Sequence, residues 1–256
     1  MSFNVSADAY LRFMGRYSAP LADQFVDLVG VGKGDRVVDV GCGPGVLTAP
    51  LVDRCGESAV AAVDPSPPFV AAARERFPGA DVREGAAEQL PYDDSAFDAA
   101  LAQLVVHFMA DPVAGLREMG RVTRPGGTVA ASVWDCAGPT GPLSVFWDAV
   151  REVVPSAGGE GHLPGAREGH LAELAEEAGL VAIRPTSLTV RIPFASFDEW
   201  WAPYLLGVGP SGAYVASLDD ATRTELAERC RALLPEPPFE HAATAWVVLA
   251  EAGPAT

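Results

Sequence analysis

The sequence predicts an α/β fold. The expected architecture is a mostly parallel seven-stranded sheet with helices on both faces, an N-terminal helical segment and a helical insertion before the last strand. Three observations carry this reading. Short apolar runs alternate with amphipathic segments between residues 36 and 133. The first run, Val37-Val38-Asp39-Val40, leads straight into glycines at alternate positions, Gly41, Gly43 and Gly45. The second run closes on an acidic residue, Asp64. Strands that alternate with helices imply βαβ units, and these bury a parallel sheet on both faces.

The elements follow in order. Residues 7–29 read as an amphipathic helix with a polar break at Gly15-Arg16-Tyr17-Ser18. Residues 36–40 form the first strand, and 45–54 a helix with Leu47 and Leu51 four apart on one face. Residues 59–63 form the second strand. Pro67 or Pro68 opens the next helix in its first turn, where a missing N–H costs nothing, and that helix runs to about Phe77. Strands at 80–84 and 97–103 follow. A helix over 113–123 is stopped by Pro125-Gly126-Gly127, and a fifth strand occupies 128–133. Beyond Trp134 come helices at 143–153 and 168–178, the second stopped by Gly179, and an alternating strand at 187–192. The interruption from 197 to 234 carries two helical patterns. The second starts at Ser217-Leu218-Asp219-Asp220, and a last strand covers 244–250. The whole reads as a single domain, 1–256, with an N-terminal cap (1–30), a ligand-binding core (31–135) and a lid-like insertion (196–235).

Composition limits the partners. The chain has 256 residues, of which 49% are hydrophobic, enough for a sizeable core. Its net charge of −16, with Lys33 the only lysine, would repel phosphate backbones, so no nucleic-acid partner is expected. Cys42, Cys55, Cys136 and Cys230 are scattered without a CxxC pair, which predicts neither a zinc site nor a disulfide framework. The four histidines lack metal spacing, so no metal is expected. No run approaches the ~20 apolar residues of a membrane span, and the first residues lack a signal-peptide pattern. A cytoplasmic location is the expectation. Oligomeric state is not readable.

The glycine turn is the chief chemical signal. Glycine can adopt positive φ and leaves its N–H groups uncovered for a ligand. A phosphate cradle would not place Asp39 at its centre; a ligand carrying an ammonium or sulfonium would suit it. Asp64, about twenty residues on, stands where a carboxylate accepts from a ribose hydroxyl. It could equally cap the helix after Pro65-Ser66.

Four motifs in order then resemble class I S-adenosylmethionine-dependent methyltransferases, of the small-molecule group similar to ubiquinone/menaquinone-type enzymes. They are VVDVGCGPG at 37–45, VAAVDPS at 60–66, REGAAEQLPYDDSAFD at 83–98 and LREMGRVTRPGG at 116–127. The resemblance spans residues 31–133 and implies a Rossmann-like fold, S-adenosyl-L-methionine as cofactor and a small-molecule acceptor. It implies cofactor contacts from Gly41, Cys42, Gly43, Gly45, Asp64 and Pro65. Asp39 and Gln103 would lie near the methionine portion, and Arg16 and Tyr17 would close over its carboxylate. The adenine segment departs from the family pattern. Ala86 stands where an aspartate commonly accepts from the adenine amine, leaving the backbone of Ala86 and Ala87, or Glu88, to meet the base. AQLVVHF after the fourth strand replaces the DPPY or NPPY of amine-modifying members, which favours O- or C-methylation.

The acceptor is less legible. His107 follows the fourth strand and could act as general base, or be a structural histidine. Phe13, Trp134, Trp200, Trp201 and Tyr204 are candidates for an apolar acceptor pocket, with ordinary core packing as the alternative. Trp200 and Trp201, adjacent on a helix, are expected to point to different faces. Two further readings stay open: a protein of this fold that binds the cofactor without transferring methyl, and an NAD-dependent oxidoreductase. The second wants a fuller GxGxxG and a catalytic Tyr/Lys pair that the lone Lys33 does not supply.

Overall fold

A computed structural model of the chain describes residues 13–155 and 157–254. Its sheet has seven strands in the order β3-β2-β1-β4-β5-β7-β6. They are β1 (Val37–Val40), β2 (Val60–Asp64), β3 (Asp81–Glu84), β4 (Phe97–Gln103), β5 (Thr123–Trp134), β6 (Val181–Phe194) and β7 (Phe239–Glu251). The first five run parallel, and β7 pairs antiparallel with both β5 and β6. The strand order reverses between β1 and β4, where open α/β sheets hold ligands beyond the carboxyl ends of their strands.

Alternation along the strands sorts side chains to two faces. Val37, Ala99 and Leu101 face helices α1 (Gly15–Val29) and α2 (Thr48–Cys55), packing with Phe25, Val26, Leu47 and Leu51. Val38, Val40, Ala100 and Ala102 face the other way. They meet α4 (Pro112–Val122) through Leu116 and Met119, and α6 (His170–Glu177) through Leu171 and Leu174. The same parity places Asp39 and Gln103 on the α1/α2 side. Helix α3 (Pro67–Arg76) follows β2, its prolines in the first turn.

A third cluster packs on the end of β5 and on β6 and β7. It joins α1 and α5 (Ser144–Val153) to three helices inserted between β6 and β7. These are α7 (Phe197–Trp201), α8 (Gly209–Ser217) and α9 (Asp220–Leu233). Asp219 caps α9 by accepting from the Thr222 amide at 2.8 Å. The insertion thus holds one helix more than the two patterns expected, because Gly207 and Gly209, both at positive φ, divide the segment. The break expected at Gly15-Arg16-Tyr17-Ser18 falls one residue earlier: Met14 is a turn, α1 opens at Gly15, and the Tyr17 and Ser18 amides bond to the Met14 carbonyl. The expected first turns of that helix lie outside the described residues. Among the described residues no helix is long and apolar enough to cross a membrane.

Candidate active site

The turn after β1 is held from both sides. The amides of Gly41 and Cys42 donate to the Val63 carbonyl of β2 at 2.8 and 3.0 Å. A Cβ on Gly41 would stand 2.6 Å from Val105, so only glycine fits there. Gly43, at φ 54°, has open space where its Cβ would be, which leaves its backbone uncovered. Asp64 spans the gap: Oδ2 accepts from the Gly43 amide at 2.9 Å and Oδ1 from the Ser66 amide at 2.8 Å. This carboxylate therefore fixes both the glycine turn and the entry to α3. Burial raises its pKa, and the two amides oppose that rise.

Asp39 is 1% exposed, with Oδ2 accepting from Thr48 Oγ1 at 2.6 Å. Burial pushes its carboxyl up to about 7; the Thr48 bond opposes this, and the nearby Asp64 adds to it. No arginine or lysine pairs with Asp39 among the described residues. On the same face, Gln103 Nε2 donates to the Ser18 carbonyl at 3.0 Å. Gln103 Oε1 and Ser18 Oγ have no partner among the described residues. Asp39, Ser18 and Gln103 line one cavity of about 30 Å³ with the glycine turn. Its wall is rich in unmet acceptors, and a ligand ammonium would meet them.

That narrow space adjoins two others. Outside it lies a cavity of about 600 Å³ lined by Gly41, Gly43, residues 64–69 and 85–88, and part of 104–110. On the inner side lies one of about 60 Å³, lined by Phe13, His107, Trp134, Glu160 and Ser211 among others. Leu104 lines all three. It sits at φ 62°, a strained conformation for leucine, with its amide donating to the Ser132 carbonyl at 2.8 Å. A nucleoside with an amino-acid tail fits this layout. The wide cavity would take base and ribose and the narrow one the ammonium, with the inner one sharing Leu104 with both.

Residues 38–131 match the family model described as a methyltransferase domain. Over this stretch the chain is similar to class I, S-adenosylmethionine-dependent methyltransferase domains. It is 37% identical over 135 residues to an uncharacterised methyltransferase of Mycobacterium tuberculosis, covering 53% of this chain and 52% of that one. It is 35% identical over 150 residues to the malonyl-[acyl-carrier protein] O-methyltransferase of Serratia marcescens, covering 56% and 58%. The chain thus spans about half the length of the curated relatives it matches. Geranyl diphosphate C-methyltransferase from Streptomyces coelicolor, solved with S-adenosyl-L-homocysteine, shares the fold at a TM-score of 0.54. That likeness covers 93% of this chain and 80% of that chain at 17% identity.

Within the matched stretch, Asp39, Gly41, Cys42, Gly43, Asp64, Pro65, Ala86, Ala87, Glu88 and Gln103 all line the wide or narrow cavity. Gly45 is set back, where a Cβ would lie 2.5 Å from the Phe77 ring. Glu88 serves the loop: Oε1 accepts from the amides of Ala110 and Asp111 at 2.7 and 3.2 Å. Arg16 corrects the expectation of a carboxylate clamp. Its Nη2 donates to Glu199 Oε1 at 2.7 Å and to the Pro193 carbonyl at 3.2 Å, and its guanidinium lies 4.4 Å from the Phe194 ring centroid. It ties α1 to the start of the insertion. Tyr17 is packed among Trp134, Phe194 and His241, and burial raises its phenol pKa.

Of the acceptor candidates, Phe13, Trp134 and His107 line the inner cavity. Trp200, Trp201 and Tyr204 are instead core. Both tryptophans are buried, at 2% and 8% exposure, and their rings stack at 6.4 Å. Phe146 and Tyr204 from outside α7, and Phe197 from its own first turn, surround the two rings, so neither is left for solvent or ligand. Ser18, Leu104, Val105, Phe108, Glu160 and Ser211 were not expected in the site. Leucine, valine and an isolated serine carry no chemical signal in sequence, and Glu160 stands in a glycine-rich stretch. Among the described residues no cluster of His, Cys, Asp and Glu could hold a metal.

Proposed function

We propose that the protein transfers a methyl group from S-adenosylmethionine to an oxygen or carbon of a small, largely apolar or aromatic acceptor. The observation that carries this reading is the set of three spaces meeting at Leu104, with a buried aromatic chamber on the inner side of the cofactor cleft. When bound, the cofactor supplies an electrophilic methyl group on sulfur. The chain's task is then to align the acceptor and exclude water. Asp39 and Gln103 Oε1 would hold the ammonium, Asp64 would accept from ribose while steadying the turn, and the backbone of Ala86 and Ala87 would meet the base. His107, pushed down to about 4 by burial, is neutral near pH 7, so its Nδ1 can accept a hydrogen bond from an acceptor hydroxyl and orient it, though the same burial makes it a weaker base than a free imidazole. The O-methyltransferase among the relatives supports oxygen as the accepting atom.

The test is production of S-adenosylhomocysteine from S-adenosylmethionine with a panel of phenols, enols and activated methylene compounds. Turnover with some members supports the reading. Tight binding of the product by calorimetry, with no turnover across the panel, would favour a cofactor-binding protein that does not methylate. Absence of binding would remove both.

A further inference from the structure

The inner cavity carries information beyond its apolar walls. Four polar side chains line its volume of about 60 Å³: His107, Trp134, Glu160 and Ser211. Trp134 and Ser211 are 4% and 1% exposed, yet Trp134 Nε1 and Ser211 Oγ lack a hydrogen-bond partner among the described residues. His107 Nδ1 is buried and unpartnered in the same way. Glu160, 9% exposed, has one described bond: Oε2 accepts from Trp147 Nε1 at 3.0 Å. No described cation pairs with it. Buried polar groups are normally satisfied, and a concentration of unsatisfied ones around one cavity calls for a ligand that satisfies them.

The donor and acceptor inventory selects that ligand. The Trp134 indole only donates. Ser211 and neutral His107 can do either. Burial raises the Glu160 carboxyl from its ordinary value, against the Trp147 bond; ionised it only accepts, and protonated it also donates. An ammonium ligand, which only donates, leaves Trp134 unpaired. An ether, which only accepts, leaves an ionised Glu160 unmet, whereas a hydroxyl pairs with the carboxyl in either state. A carboxylate would face Glu160 across a low-dielectric space, and like charges there repel strongly. A hydroxyl both accepts and donates. The first turn of α8, Gly209 to Ser211, also lines the cavity; Pro210 has no N–H, and the positive end of the helix there favours a partially negative oxygen.

We propose that the inner cavity is a binding site for an uncharged phenol- or enol-type hydroxyl, selected by Trp134, Glu160 and Ser211 beside His107. This names the substrate class of the methyl transfer proposed above, and rests on that reading for its role in catalysis. The binding itself does not depend on it.

The experiment is calorimetric titration of the full chain, without cofactor, with four probes of one shape: 2-naphthol, naphthalene, 2-methoxynaphthalene and 2-naphthylmethylammonium. The expected result is 2-naphthol binding about 10-fold or more tightly than the other three, the effect of one or two hydrogen bonds. Ser211→Ala and Glu160→Gln each reduce that preference by about 3- to 10-fold. Ser211→Ala leaves the melting temperature of the free protein unchanged or higher, since Oγ has no described partner to lose. Tightest binding by the ammonium, abolished in Glu160→Gln, would overturn the proposal in favour of a cation site. Equal binding of all four probes, or binding of none, would also overturn it, as would a lower melting temperature in Ser211→Ala with the preference intact. A parallel titration with S-adenosylhomocysteine separates the two readings. Its failure beside a retained 2-naphthol preference strikes the methyltransferase reading alone. Its success without that preference strikes only this one.

Discussion

Asp39→Asn should stabilise the free protein at pH 8 while weakening cofactor binding. The carboxylate is buried without a described cation, and its pKa rises from 3.8 to about 7. The folded state therefore binds more protons than the unfolded chain between about pH 4 and 7. Its stabilising contribution is fully present below the unfolded pKa and is lost as pH rises through 7. At ~1.4 kcal/mol per pH unit, ionising Asp39 costs the folded state about 4 kcal/mol at pH 8. Asparagine removes that cost and can still accept from Thr48 Oγ1, which now donates at 2.6 Å. Burying the new amide N–H₂ takes back about 1–3 kcal/mol. The net gain of about 2 kcal/mol corresponds to a melting temperature roughly 4–8 °C higher at pH 8. At pH 5 the gain should vanish or reverse, because much of the parent's Asp39 is then protonated. In the parent, S-adenosylhomocysteine should bind about 10-fold more tightly per pH unit up to about 7 and level off above, since the ligand ammonium favours the ionised carboxylate. In Asp39→Asn the affinity should fall by ~30- to 100-fold at pH 8 and lose this pH dependence. Thermal melts by circular dichroism at the two pH values, with calorimetry of the product, test every step. A variant that melts below the parent at both pH values, or that binds the product as tightly, refutes the reasoning.

Three further outcomes are expected. Gly43→Ala places a methyl group at φ 54° on the cofactor side of the turn; backbone strain of about 1 kcal/mol should lower the melting temperature by a few degrees, and calorimetry should show product affinity reduced by 10-fold or more. Arg16→Ala breaks a half-exposed ion pair with Glu199, worth under ~1 kcal/mol, so the melting curve should barely move; steady-state kinetics should show a raised KM for the acceptor with little change for the cofactor. Because burial holds His107 near 4, the rate between pH 5.5 and 8.5 should show no histidine inflection near 6.5, and His107→Gln should lower kcat by ~100-fold throughout; an inflection near 6.5 that disappears in the variant would contradict the assignment.

Much of the cofactor side was legible because local constraints write it into sequence. Gly41 and Gly43 are required by Val105 and by positive φ, and those needs exclude other residues wherever the turn occurs. Asp39 and Gln103 stand out because polar residues interrupt apolar strands, and strand parity then puts them on one face. Asp64 was visible too, but as two alternatives. The structure has its oxygens on the turn and on the α3 entry, and each keeps a second lone pair for a ligand. The acceptor side was poorly legible because it is assembled across long separations. Phe13, Trp134, Glu160 and Ser211 come from four segments, and none sits in a pattern that requires the others. The tryptophan pair shows how this misleads. Reasoning from one helix assigns Trp200 and Trp201 to opposite faces, one of them free. In the fold both faces of a five-residue helix are covered, and the two rings become core. Serine at 211 is the converse, unremarkable in sequence yet buried without a described partner. Local chemistry thus points to the part of the site proposed for the donor, whereas the chemistry proposed for the acceptor emerges only when tertiary packing leaves particular polar atoms unsatisfied around one space.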